Sequence, residues 1–269
     1  MQRNDYYNDP MLEAAADQVR STYGHTLDFR RKGKSLLKFG RNPAVGTSKV
    51  TVAQQPTGVA EETYIFTNAI THISSSAADT GSVRVEGHTI DTTTGDLTFV
   101  VETATLTGTT EALLPTPLCR VTRVVNLTAT AWTGNVYVFE TDTVTSGVPQ
   151  TAAKIHLTVP AGAQQSLKAS TAISSVDYYI ITQVQASLLE KTSAFAEVVL
   201  ESRAINVSNG NVFTPRVTIE TASSAGTTFI DLKPYVIIPP NSDVRLSAIA
   251  DGANTDVGGW FNGLLANFS

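Results

Sequence analysis

The residues best placed by type and spacing to do chemistry form a basic run near the start of the chain, RRKGKSLLKFGR. Arg30, Arg31, Lys32, Lys34, Lys38 and Arg41 are positive there and no residue is negative. Leu36, Leu37 and Phe39 sit among the charges. Such a segment can be steered to an acidic partner by its cations and can lay its apolar side chains into a groove. Phosphate is the other target open to clustered cations. A single ring, Phe39, is a poor stacking platform for bases, and the remainder of the chain is acidic, so nucleic acid is not the expected partner.

Other chemistry is thinly represented. The four histidines, His25, His72, His88 and His156, are scattered with no zinc-ligand spacing, and the single cysteine, Cys119, has no partner in the chain and reads as a small hydrophobe in an apolar strand. His88 and His156 fall within alternating strands, where a solvated face position is the expectation. The pairs Asp91 with Asp96 and Asp251 with Asp256 flank glycine-containing turns, which aspartate supports through local backbone hydrogen bonds. No G-x-S-x-G elbow is present. Trp132 and Trp260 are the only tryptophans, and they would be the stacking residues of any sugar site. The expectation is no enzyme, no cofactor and no metal.

The elements that must carry the basic run are mostly strands. Charged residues are 16% of the 269, the net charge is −5, and Thr, Ser, Ala and Val dominate, a composition of strands and turns. Residues 1–60 hold nine Lys/Arg against five Asp/Glu, and the rest of the chain holds ten against nineteen. That asymmetry suggests an arm addressed to an acidic partner. Within it, Met11 to Tyr23 places Leu12, Ala15, Ala16 and Val19 at helical spacing, with Gly24 to stop the helix. The opening MQRNDYYNDP is polar and no apolar run is long enough to cross a bilayer, so neither a secretory signal nor a membrane span is expected.

Three parts are expected: an extended basic arm over 1–60 with the helix at 11–23, a small β unit over 61–116, and a jelly-roll-like antiparallel β-sandwich over 117–269. The β unit should use strands at Tyr64 to Phe66, Ile70 to Ser74, Ser82 to Ile90 and Leu97 to Leu106, closed by a break at Pro115 to Pro117. The sandwich should end on Thr228 to Pro239, Asp243 to Ala250 and Val257 to Phe268, with Pro239-Pro240-Asn241-Ser242 turning between the first two. Strands recur at short intervals between turn signals, with no crossover helices and no fixed repeat period.

Several stretches resemble a virion structural protein family of tailed bacteriophages, marine and cyanobacterial phages in particular. They are KFGRNPAVGT at Lys38 to Thr47, Tyr64-Ile65-Phe66, ISSSAADTG at Ile73 to Gly81, VRVEG at Val83 to Gly87, ETATLTGT at Glu102 to Thr109, and the close IIPPNSD, Val244-Arg245-Leu246 and Phe261 to Leu265. The sequence departs from the family in Thr107, where the family has asparagine, and lacks its tryptophan and glycine pair around Gln54 to Thr63. The resemblance implies a non-enzymatic part of a phage particle located in the virion and assembled in the host cytoplasm. Its partners would be the major capsid protein or other virion proteins. A decoration or cement protein held by its arm, and by analogy trimeric, is the first reading. A neck or tail component is the second, and a receptor- or carbohydrate-binding sandwich the third. On the first reading, removing residues 1–60 should leave a folded body that no longer attaches.

Overall fold

The computed structural model describes residues 10–24, 34–54, 62–190, 195–205, 212–222 and 226–267. In chain order these form α1 (Pro10–Tyr23), β1 (Lys34–Val45) and β2 (Val50–Thr51); then β3 (Ile70–Ser75), β4 (Thr80–Ile90), β5 (Leu97–Thr107), β6 (Ala112–Leu118), β7 (Arg120–Asn126), β8 (Val136–Glu140), β9 (Val144–Thr145), β10 (Val148–Pro149) and β11 (Ile155–Val159). The chain closes with β12 (Ser170–Ile173), β13 (Asp177–Glu190), β14 (Phe195–Ala204), β15 (Thr214–Ala222), β16 (Thr227–Ile238), β17 (Ser242–Ala250) and β18 (Thr255–Asn267). The protein is all-β, with one short α-helix among the described residues.

Strands with one apolar face need a second sheet to cover it. One sheet runs β1-β18-β13-β16, and the other runs β12-β17-β14-β15 with β2 also on β17. The edge of β17 is filled by two pieces of chain end to end: β2 pairs Ser247 and Ala248, and β12 pairs Ser242 to Arg245. Between the pieces the Val52 amide donates to Leu246 O at 2.8 Å, the Leu246 amide to Ala169 O at 2.9 Å, and the Ala169 amide to Val52 O at 3.0 Å. Counting β2 and β12 as one split strand gives eight strands, which pair first with last, second with seventh, third with sixth and fourth with fifth. That nested order is a jelly roll. Its core lies between the sheets and includes Tyr179, Ile181, Val198, Leu200, Leu246, Val257 and Phe261.

The chain leaves the jelly roll after Val52 and returns before Ala169 through a narrow neck, where Ala53 bridges Lys168 and the Gln54 amide donates to Leu167 O at 3.2 Å. What lies between is a second, smaller sandwich. Its sheets are β11-β8-β3-β6 and β5-β4-β7, with the hairpin β9-β10 beside them. Ile70, Ile73, Val83, Val85, Leu106, Val124, Trp132 and Val138 pack between the two. Helix α1 lies on the outer face of the β1-β18-β13-β16 sheet, where Leu12, Ala15 and Val19 meet Tyr178, Ile180, Leu264 and Ala266. Burying Leu12 and Val19 contributes on the order of 1.5–3 kcal/mol each. That support is what a 14-residue helix needs, being marginal alone.

The expected division at 60 and 116 does not match these boundaries. Residues 34–52 are not an arm but one and a half strands of the jelly roll, and the smaller sandwich extends past residue 116 to take in β7, β8 and β11. The strand expected at Tyr64 to Phe66 is irregular chain, held by side-chain contacts described below. Pro115 and Pro117 lie inside β6 rather than ending it, because β6 is the edge of its sheet and proline's missing N–H is tolerated there.

Candidate functional site

Arg30, Arg31 and Lys32, like His25, lie outside the described residues. The rest of the basic run is β1, whose alternation divides it between two faces. Leu37 and Phe39 point outward and Leu36 and Lys38 inward, in antiparallel register with Phe261 to Gly263 and Trp260 of β18. Arg41 is spent within the fold: its Nε donates to Asp256 Oδ1 at 2.9 Å, and a second bond joins Nη2 to Oδ2. Lys34 is exposed at the strand's start. The structure thus separates Lys38, on the inward face, from Leu37 and Phe39, which share the outward face.

The smaller sandwich is clamped to the jelly roll by buried charge. Asp243 on β17 accepts from Arg120 Nε of β7 at 2.9 Å and from Arg203 Nε of β14 at 3.0 Å. Arg120 also donates to the carbonyls of Ile65 and Cys119. The irregular chain at Tyr64 and Phe66 roofs this group: the Arg203 guanidinium lies 4.1 Å from the Tyr64 ring centre, and Arg120 lies 5.0 Å from it. Phe213 covers Arg245 at 4.0 Å, and Glu201 accepts from Arg245 Nε at 3.0 Å and from Lys49 Nζ at 2.8 Å. At the neck Lys168 pairs with Glu62 and donates to Val121 O at 2.8 Å. Burial alone would raise the Glu62 and Glu201 carboxyls, but the Lys168 charge on one and the Lys49 and Arg245 contacts on the other hold both below the usual range.

Beside the clamp the two bodies part to leave a cleft of about 640 Å³, lined on one side by Lys34, Lys38 and Leu265 and on the other by Arg84, Glu86, His88, Phe99 and Val101. Lys38 is 5% exposed. Its recorded bond is a long one, from Nζ to Thr122 O at 3.4 Å, and no carboxylate lies within salt-bridge distance of it among the described residues. Burial lowers its pKa to about 8, with Glu86 opposing and Arg123 and Lys168 adding to the shift. His88 is buried rather than solvated, because the face of β4 it shares with Glu86 looks onto the jelly roll. Burial first, then the Lys38 and Arg120 charges, push its pKa down to about 3, and its Nδ1 has no hydrogen-bond partner.

A second exposed surface lies on the outer side of the β1-β18-β13-β16 sheet, beyond the part covered by α1. Trp260 Nε1 donates to Gln185 Oε1 at 2.8 Å, and its ring lies 5.8 Å from that of Phe229. Phe229 is 48% exposed and Leu37 54%, and Phe39 pairs with Trp260 in register. Trp132 cannot stack on a sugar, since it is 3% exposed in the smaller core. Sequence reasoning missed His88, Phe99, Val101 and Phe229 as surface-defining residues. The visible signal was apolar side chains at both parities of β5 and β16, which a one-faced strand does not have.

The remaining candidates are structural. His156 is held between Glu140 and the Thr63 carbonyl. Asp91 accepts from the amides of Thr93 and Thr94 in its turn. Cys119 is buried in a small apolar cluster with Ile90, Leu97 and Ile205. The Ser-Ser-Ser and Asp motif behind the phage resemblance organises a corner: Asp79 accepts from Ser75 Oγ at 2.7 Å and from the amides of Thr133 and Gly134 at 2.8 Å. Among the described residues no group of three His, Cys, Asp or Glu is placed to hold a metal ion. Comparison with known protein families, with curated proteins and with solved structures gives no match.

Proposed function

We propose that this chain is a non-enzymatic structural protein of a tailed-phage particle, in the first place a decoration or cement protein bound to the major capsid protein. The observation that carries the proposal is how the polar side chains are used. The buried charges of Arg120, Arg203 and Asp243, and of Glu62 and Lys168 at the neck, are engaged in holding two β bodies together, and the accessible outer face offers apolar and aromatic contact instead. Leu37, Phe39, Trp260 and Phe229 make such a surface on a rigid sheet, which suits attachment to a neighbour. The sequence resemblance supplies the kind of neighbour. A closed ring of copies, a trimer by analogy, fits the same surface.

The test is the protein content of purified virions from the phage encoding this chain. Hundreds of copies per particle place it on the head. Roughly a dozen or fewer, as expected of a single symmetric ring, place it in the neck or tail. Absence from the virion overturns the proposal. Deleting residues 1–60 is no longer a clean test of attachment, because it removes β1 and β2 from the jelly roll. Phe229→Ser with Leu37→Ser on the outer face replaces it.

A carbohydrate-binding reading keeps one specific support, the Trp260 and Phe229 platform flanked by Gln183, Gln185 and Asn262. Binding on a glycan array that is lost in Trp260→Ala would favour it; no binding removes it.

A further inference from the structure

We infer that the cleft between the two β bodies is a docking groove for an extended, acidic and apolar segment of a partner protein, with Lys38 pairing its carboxylate. The site is distinct from the outer face, and the inference stands independently of the virion reading. Four observations converge on it. Lys38 is a buried cation without a carboxylate partner among the described residues, and a buried charge is kept only at a cost unless something pairs it. Of the two carboxylates that line the cleft beside Lys34, Lys38 and Arg84, Glu86 is already paired by Arg84 and Arg123, at 3.0 and 3.7 Å, and Asp177 accepts from Asn267 Nδ2 at 3.3 Å. The cleft is therefore locally cationic in an acidic protein, and its complement is an acid. His88 lines the same space, and its buried Nδ1 has no hydrogen-bond partner among the described residues.

The wall opposite Lys38 indicates that the acid belongs to an extended chain. Phe99 and Val101 are 48% and 54% exposed and stand two residues apart on one face of β5. Their spacing matches the side chains of a strand laid beside them. Strand β5 pairs with β4 over its whole length without a bulge, and no other strand among the described residues pairs its far edge, although at its first residue the Leu97 amide donates to Asn241 Oδ1 and the Leu97 carbonyl accepts from the Ser175 amide, each at 2.9 Å. It carries one charged residue, the half-buried Glu102, and no proline, lysine or arginine. Backbone pairing along β5, apolar contact with Phe99 and Val101, and one carboxylate reaching Lys38 make a strand-addition site with charge specificity.

The experiment selects a displayed random heptapeptide library on the full chain and then measures the consensus peptide against variants by fluorescence polarisation. The expected consensus has Asp or Glu with an aliphatic or aromatic residue two positions away. Its binding should weaken at least ~30-fold in Lys38→Met, as for loss of one buried charge partner, and also in the double variant Phe99→Ser with Val101→Thr, whose positions are too exposed to threaten folding. Lys38→Met should remain folded with an equal or raised Tm, because it removes an unpaired buried charge. Selection of no acidic consensus, binding unchanged in both variants, or a lowered Tm for Lys38→Met would each overturn the inference. So would competition by free benzoate at peptide-like concentrations, which would make the cleft a small-acid site.

Discussion

The clamp and the cleft are two halves of one junction between the same two bodies, and they treat buried charge in opposite ways. In the clamp, Asp243 holds Arg120 and Arg203, aromatic rings cover the guanidiniums, and Glu201 holds Arg245 and Lys49. In the cleft, which both residues line, Lys38 has only a long bond to the Thr122 carbonyl and His88 Nδ1 has no partner among the described residues. Paired and dry, charge fixes orientation; unpaired and beside solvent, it is available to something else. The difference separates the part of the junction that builds the protein from the part that can act.

The sharpest way to break this comparison is Asp243→Ala, which leaves two buried guanidiniums without their carboxylate. A loss of about 3–5 kcal/mol in urea unfolding is expected; a loss under 1 kcal/mol would mean that water replaces the clamp. Next is the strand splice. A Cβ on Gly40 would run into the backbone of Val52 and the Ala169 amide, so Gly40→Ala should cost about 1–3 kcal/mol, and an unchanged denaturation midpoint would show that β1 yields there. On the cleft side the sign reverses: Lys38→Met should leave stability equal or raise it by about 1 kcal/mol or more.

The pH dependence follows with smaller effects. Lys38 has a native pKa of about 8 and an ordinary value of 10.5, so above pH 8 the unfolded chain holds a proton that the native state has released, and stability rises. The rise should be seen between pH 8 and 9. Above 9 it is offset by Cys119, whose thiol burial pushes up to about 11 and which ionises first in the unfolded chain. Lys38→Met should flatten that rise, and a persisting slope would assign it elsewhere. On the acid side, His88 stays neutral in the native state to about pH 3, so stability falls as pH drops below 6.5. Glu62 and Glu201, held low by their cation partners, extend the loss below 4.5. Last, Phe229→Ser on the outer face should change stability by no more than about 0.5 kcal/mol, since its role there is contact with a neighbour.

The local pattern made much of this fold legible. Helix α1 was visible in Leu12, Ala15 and Val19, and most strands in their alternation, because a face must be apolar wherever a layer covers it. The sandwich class followed from strand spacing and the lack of crossover helices. The boundaries did not follow. Val52 and Ala169 read as unrelated positions, yet they are neighbours in one interrupted strand, and nothing local marks where a chain leaves a sheet to build another body. The basic run was misleading for a related reason: charge predicts an arm only where no strand partner exists, and β18 provides one.

What the sequence alone determined is the set of elements and their polarity, since those depend on residues two to four apart along the chain. Only tertiary structure decided which cations are paired. Arg120 and Lys38 are both buried basic residues on strands that carry other cations, and what separates them is whether Asp243 or open cleft lies opposite. That choice rests on contacts between residues far apart in sequence, where burial and the distance to a carboxylate fix the energy of a charge.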